Sequence, residues 1–159
     1  MGRMKKRSKY RPKGVRLDAM RYVLDGLRPV ASHDAVVTLR LRNHGAMAAL
    51  TKGEAVRGDL DVLISSLNMT EALYRMGVGR EYFGVVRAGL EALRSVGSRG
   101  VDSGRFILKS QEMVALNEAM ELHDAQLDVI TVKEMERAME LVFEEIRNKR
   151  ATPIVGAGV

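Results

Sequence analysis

The chain contains no cysteine, which excludes a disulfide framework and a thiolate metal site and leaves the redox compartment open, with cytosol as the default. Tryptophan is absent as well, and only four Tyr and three Phe occur in 159 residues. A sheet sandwich draws on aromatic and β-branched residues, so this scarcity, beside ten methionines and many leucines, valines and alanines, points to packed helices. No apolar run approaches the ~18 residues of a membrane span, and the basic start is not followed by an apolar signal core. These absences predict a soluble, cytoplasmic protein with no membrane partner. No repeat of fixed period is visible. The length suits one domain that buries about 70% of its unfolded surface without staples.

Acid is missing from the first sixteen residues, MGRMKKRSKYRPKGVR, which hold eight Lys and Arg and almost nothing that could be buried. Such a segment is too polar to fold alone and predicts a disordered arm that orders only against an anion-rich surface. The cations Lys5, Lys6, Arg7, Lys9, Arg11, Lys13 and Arg16 are candidate phosphate contacts, and Tyr10 among them is placed to stack on an unpaired base. Pro12 and Gly14 keep the arm from closing into a helix. The same composition also suits an acidic protein surface, or a solubilising tail with no partner. The balance reverses farther on: residues 111–145 carry ten acids against two bases. The basic character of the chain therefore belongs to the arm, and the body is expected to present an acidic face.

Hydrophobic spacing predicts an all-α bundle of five to six helices over residues 17–150, between the arm at 1–16 and a frayed tail at 151–159. Leu17, Met20, Val23, Leu24 and Leu27 form a first helix stopped by Pro29. Residues 36–42 alternate like a strand yet also fit one helical face; helix is preferred, at least from Asn43 to Leu50, closed by Gly53. From Arg57 to Met76 the segment is apolar over most of its girth, the pattern of a central helix. A further helix is expected from about Glu81 to Val96 with Tyr82, Val85, Val86, Gly89, Leu90 and Leu93 inward, its Gly84 and Gly89 marking a close helix crossing. Gly97 to Gly104 is read as a flexible loop and Arg105 to Lys109 as a short extended piece. Ser110 is expected to cap a helix through about Asp128. Thr131 and Glu134 form a capping box for the last helix, with Val132, Met135, Met139, Val142 and Ile146 inward. Arg147, Lys149 and Arg150 suit its negative end.

Chemistry is thinly supported by these patterns. Glu136, Glu140 and Glu144 stand at successive i,i+4 positions, partly offset by Lys133, Arg137 and Arg147. They read as a solvated face, or as a protein-interaction surface that receives the arm of the same chain or of a second copy. A helix-turn-helix over Leu116 to Leu141 is disfavoured, because its reading helix would present glutamates to a polyanion. His33, His44 and His123 show no ligand spacing, and His123, on an apolar stripe, reads as a hydrogen-bonded core histidine. The Gly97–Gly104 stretch lacks the Gly-Lys-Ser/Thr ending of a phosphate loop, and no Gly-x-Ser-x-Gly elbow occurs. The expectation is a non-enzymatic protein with no catalytic residue, metal or cofactor.

The segments KKRSKYRPKGVRLD, LDVLISSLNMTEALYRMGVGREY and AMELHDAQLDVITVKEMERAMELV, with the closing ATPIVG, resemble a family of short, uncharacterised proteins of tailed phages and prophages of Gram-negative bacteria. The resemblance spans nearly the whole chain and brings no site residues with it. What it implies is a phage-borne accessory protein in a bacterial host cytoplasm, where nucleic acid and host regulatory or defence machinery are the usual targets. Two functions follow as expectations: binding of nucleic acid or a nucleoprotein through the arm, or docking on a host protein as an antagonist or adaptor. Self-association of arm and acidic face, giving a homo-oligomer, is a third.

Overall fold

The computed structural model describes residues 27–29 and 34–148. The arm, the first expected helix up to its last residue and the expected tail lie outside the described residues. Within them run five α-helices: α1 Asp34–Lys52, α2 Arg57–Arg75, α3 Phe83–Ser103, α4 Ser110–Val129 and α5 Val132–Arg147, with a 3-10 turn at Arg80–Tyr82. The described residues contain no strand beyond an isolated bridge between Pro29 and Thr131. Val132 N–H donates to the Arg28 carbonyl at 3.0 Å, so the chain preceding α1 is fastened to the corner between α4 and α5. The fold is all-α, as the composition predicts.

α2 is the central helix and touches each of the other four. Its Leu60, Leu63 and Leu67 meet Met47 and Leu50 of α1, Leu93 and Val96 of α3, and Leu116 and Met120 of α4 in one cluster. One turn on, Ala72 and Leu73 join Val36, Leu127, Ile130 and Ala138 in a second. A helix that serves two clusters has to be apolar on two faces, which is what its sequence shows.

The ambiguous residues 36–42 belong wholly to α1. Val36 is buried while Val37 and Leu41 are 52% and 70% exposed, so the strand-like alternation was made by apolar residues that face water. Gly53, at φ +73°, ends the helix as expected.

Other expectations are corrected. The predicted loop Gly97–Gly104 is helical through Ser103, and α3 stops only at Gly104, whose φ is +71° and whose N–H reaches the Gly100 carbonyl at 2.8 Å. The glycines within it serve close packing: a Cβ on Gly100 would overlap the Phe106 ring. Gly89 does mark a close crossing, since its Cβ would overlap that of Ala119, but Gly84 has open space around it. Tyr82, expected inward, is 49% exposed. Arg105–Lys109 takes up neither helix nor strand.

Ser110 is the first helical residue of α4, and the cap falls one position earlier. The Glu112 carboxylate accepts the Lys109 N–H at 2.8 Å. The same carboxylate receives the Arg99 guanidinium as a fork, at 2.7 and 2.5 Å. Arg99 also donates to the Ile107 carbonyl at 2.9 Å, which closes the α3–α4 connection. The capping box of α5 forms as expected: Glu134 N–H donates to Thr131 Oγ1 at 3.2 Å, and Thr131 N–H to the Glu134 carboxylate at 2.8 Å.

Candidate functional site

Arg40, Asn43 and His44 share one face of α1 by their i,i+3 and i,i+4 spacing, and this face looks onto His123, Asp124 and Asp128 of α4. Arg40 forms an ion pair with Asp128 at 2.5 Å and donates to the Asp124 carbonyl at 3.1 Å. His44 Nε2 lies 2.9 Å from the Asp124 carboxylate. Beneath these half-exposed pairs, Asn43, Thr70, His123 and Gln126 are closed off from solvent.

The hydroxyl of Thr70 is committed to the Ser66 carbonyl at 3.0 Å, so at 2.9 Å it accepts from His123 Nδ1–H. That fixes the tautomer and leaves Nε2 as a bare acceptor. Burial pushes the His123 pKa down to about 4, and Arg40 and His44 act in the same direction, against the opposing pull of Asp124. His123 is therefore the hydrogen-bonded core histidine its stripe position predicts. Gln126 donates to the Val78 carbonyl at 3.0 Å and the Thr70 carbonyl at 3.3 Å.

Among the described residues, the buried side-chain atoms that lack a hydrogen-bond partner are Arg40 Nε, both amide atoms of Asn43, His123 Nε2, Asp124 Oδ1 and Gln126 Oε1. All lie on α1 or α4. Sequence reasoning foresaw the burial of His123 but not the gathering of Asn43, Thr70 and Gln126 around it. The available signal was the place of Gln126, three residues beyond His123 on the stripe of Leu116, Met120 and Leu127. The hydrogen bonds of the solvent-closed members of this seam fasten α4 to α2 and to the Val78 backbone, while α1 is held on α4 by the half-exposed Arg40 and His44 pairs. No three His, Asp or Glu side chains among the described residues converge as metal ligands.

Away from this seam, a groove of about 350 Å³ is lined by α2, α3 and α5. Ile64, Ala72, Leu90, Leu141 and Val142 make its apolar floor. Its rim is charged: Arg75 stands between Glu71 at 3.6 Å and Glu145 at 3.4 Å. Arg94 and Arg87 stand across from them. Arg87 lies over the Phe83 ring, 5.3 Å from its centroid, and Phe83 stacks on Tyr74 at 4.7 Å.

Of the sequence-predicted site residues, Lys5, Lys6, Arg7, Lys9, Tyr10, Arg11, Lys13 and Arg16 lie outside the described residues. Glu136, Glu140 and Glu144 are exposed along α5. Glu140 pairs with Arg137 at 3.0 Å, whereas Glu136 and Glu144 pair with no cation among the described residues. α4 carries Glu112, Glu118, Glu121, Asp124 and Asp128 and no Lys or Arg of its own, but Arg99, His44 and Arg40 from neighbouring helices pair with Glu112, Asp124 and Asp128.

α5 itself is only partly covered. Ala138 is its one buried residue. Met139 and Ile146, both expected inward, are 39% and 54% exposed, and Phe143 is 56% exposed. No described helix is long and apolar enough to cross a membrane. No protein-family model matches the chain, and neither a curated protein nor a solved structure is detectably similar to it.

Proposed function

We propose that this chain is a non-enzymatic accessory protein that binds nucleic acid or a nucleoprotein through Lys5, Lys6, Arg7, Lys9, Tyr10, Arg11, Lys13 and Arg16. One observation carries the reading, the division of charge along the chain: eight cations without an acid in residues 1–16, and ten acids against two bases in residues 111–145. The excess of acid over residues 111–145 disfavours phosphate there, so the arm is the element through which a polyanion would be held. Each lysine or arginine that neutralises a phosphate releases a counterion, and binding then falls steeply with salt. On the resemblance to phage proteins, the site of action that goes with this reading is the cytoplasm of a bacterial host.

Deleting residues 1–14 is expected to weaken DNA or RNA binding at least tenfold and to flatten the dependence of log K on log salt. Equal binding by intact and truncated protein, or no binding by the intact one, would remove the proposal.

The groove between α2, α3 and α5 favours a second reading, in which the helical body docks a host protein and the arm only speeds the encounter. A stoichiometric protein partner recovered from nuclease-treated lysate, and lost when Leu90 or Arg94 is replaced, would favour it over the first.

A further inference from the structure

The apolar stripe of α5 is only partly taken up by the bundle. Val132, Met135, Met139, Val142 and Ile146 recur at alternating spacings of three and four, the seam along which one helix packs on another of its own kind. The bundle takes up Val132, Met135 and Val142 from this stripe, together with Ala138 and Leu141. Met139, Phe143 and Ile146 are left facing water on one edge of the stripe. Exposed apolar residues in a row mark a contact surface, whereas singly they mean little.

The flank of this edge carries two charges. Glu136 and Arg147 are eleven residues apart, which at 3.6 residues per turn returns them to the same side of the helix, about 16 Å from each other along its axis. Both are exposed, and neither is paired among the described residues. The point midway between them falls at Leu141 and Val142, between Met139 and Phe143. A second α5 laid antiparallel across that point sets Met139 and Phe143 against their counterparts. It also brings each Glu136 opposite the Arg147 of the other copy. Glu140, between them on the same flank, is already tied to Arg137, and Glu144 lies farther round the helix.

We infer that this edge of α5 is a two-fold interface between copies of the chain, closed by reciprocal Glu136–Arg147 pairs around Met139, Phe143 and Ile146. One surface that supplies both halves of the contact is the condition for an isologous dimer. Three side chains cover far less than the roughly 800 Å² per partner of a tight interface, so the association belongs in the weak, concentration-dependent class. Its consequence is two N-terminal arms on one particle, which raises avidity for any extended polyanion without a new contact in either arm. The inference does not depend on what the arm binds.

Sedimentation velocity over a range of concentrations tests it on the full chain. The intact protein is expected to pass reversibly from monomer to dimer. Phe143→Ser is expected to shift the midpoint at least tenfold, with Ile146→Ser as a second variant should the first lose helical circular dichroism. Glu136→Arg and Arg147→Glu are each expected to weaken the dimer, and the two together in one chain to restore it. A chain that stays monomeric at every soluble concentration would overturn the inference. So would a dimer that ignores Phe143→Ser and Ile146→Ser, or a double charge reversal that fails to recover it. A dimer that disappears when residues 1–14 are deleted would overturn it in favour of an arm-mediated clasp.

Discussion

His123 titrates out of step with an unfolded chain, and the size of the mismatch can be worked out. Its imidazole is closed off from solvent, and its folded pKa is about 4, set first by burial. In the unfolded chain an ordinary histidine sits near 6.5. As pH falls below about 6.5 the unfolded state takes up a proton that the folded state refuses until about 4. The contribution to stability is therefore complete above pH 6.5 and is lost between 6.5 and 4. Full linkage over that interval amounts to about 3 kcal/mol, of which about 2 kcal/mol is lost between pH 7 and pH 5.

Urea unfolding of the intact chain and of His123→Asn, at pH 7, 6 and 5, isolates this component from the other titrating groups. Asparagine sets an amide nitrogen near the place of Nδ1, so the bond to Thr70 can survive while the titration cannot. The variant is expected to be less stable at pH 7, because of the volume removed, and to lose about 2 kcal/mol less than the parent on going to pH 5. Parallel pH profiles, or a proton-NMR titration that places His123 above pH 6, would refute the reasoning.

Other substitutions probe separate parts of the fold. Gly89→Ala should destabilise by about 1–3 kcal/mol, because overpacking against Ala119 exceeds the helix-propensity gain, whereas Gly84→Ala, with open space around it, should raise the urea midpoint by up to about 1 kcal/mol equivalent. Glu112→Gln removes the partner of Arg99, and since that carboxylate is only partly shielded a loss of about 1 kcal/mol is expected by urea unfolding at neutral pH. The hydrogen bonds from Arg99, and then from the Lys109 amide, hold the Glu112 pKa below the ordinary carboxylate value. The sign is then that of a lowered acid: its stabilisation is present above the ordinary value and is lost as pH drops through the folded one, so the variant and the parent should converge in strong acid. Thr131→Ala should cost about 1 kcal/mol in thermal or urea unfolding by removing the side-chain cap of α5.

How legible the molecule was depends on what each residue type signals. The central role of α2 could be read directly, because a helix that serves two cores has to show two apolar faces. α1 was obscured by Val37 and Leu41, apolar residues that the fold leaves outside. The end of α3 was misread because glycine carries two opposite messages. Gly104 holds a left-handed conformation and ends a helix, while Gly100 is buried within one and admits a neighbour's bulk. Nothing local separates these roles; the neighbour, Phe106, lies several residues downstream. The polar seam was illegible for a similar reason, since His123 and Gln126 find Thr70 and Val78 only after α4 has packed on α2. On α5, periodicity placed Val132, Met135 and Val142 on the packed side, but could not report that the bundle stops short of Met139 and Ile146.

The single fully buried residue of α5 also bears on how the protein opens. With Ala138 alone fully buried and its other core contacts made by the partly exposed Val132, Met135, Leu141 and Val142, α5 should exchange its amide protons through local release, before the global unfolding that frees α2. The last sixteen helical residues would then behave as a separate low-energy unit. Their protection would rise with protein concentration only to the extent that something outside the bundle holds them down.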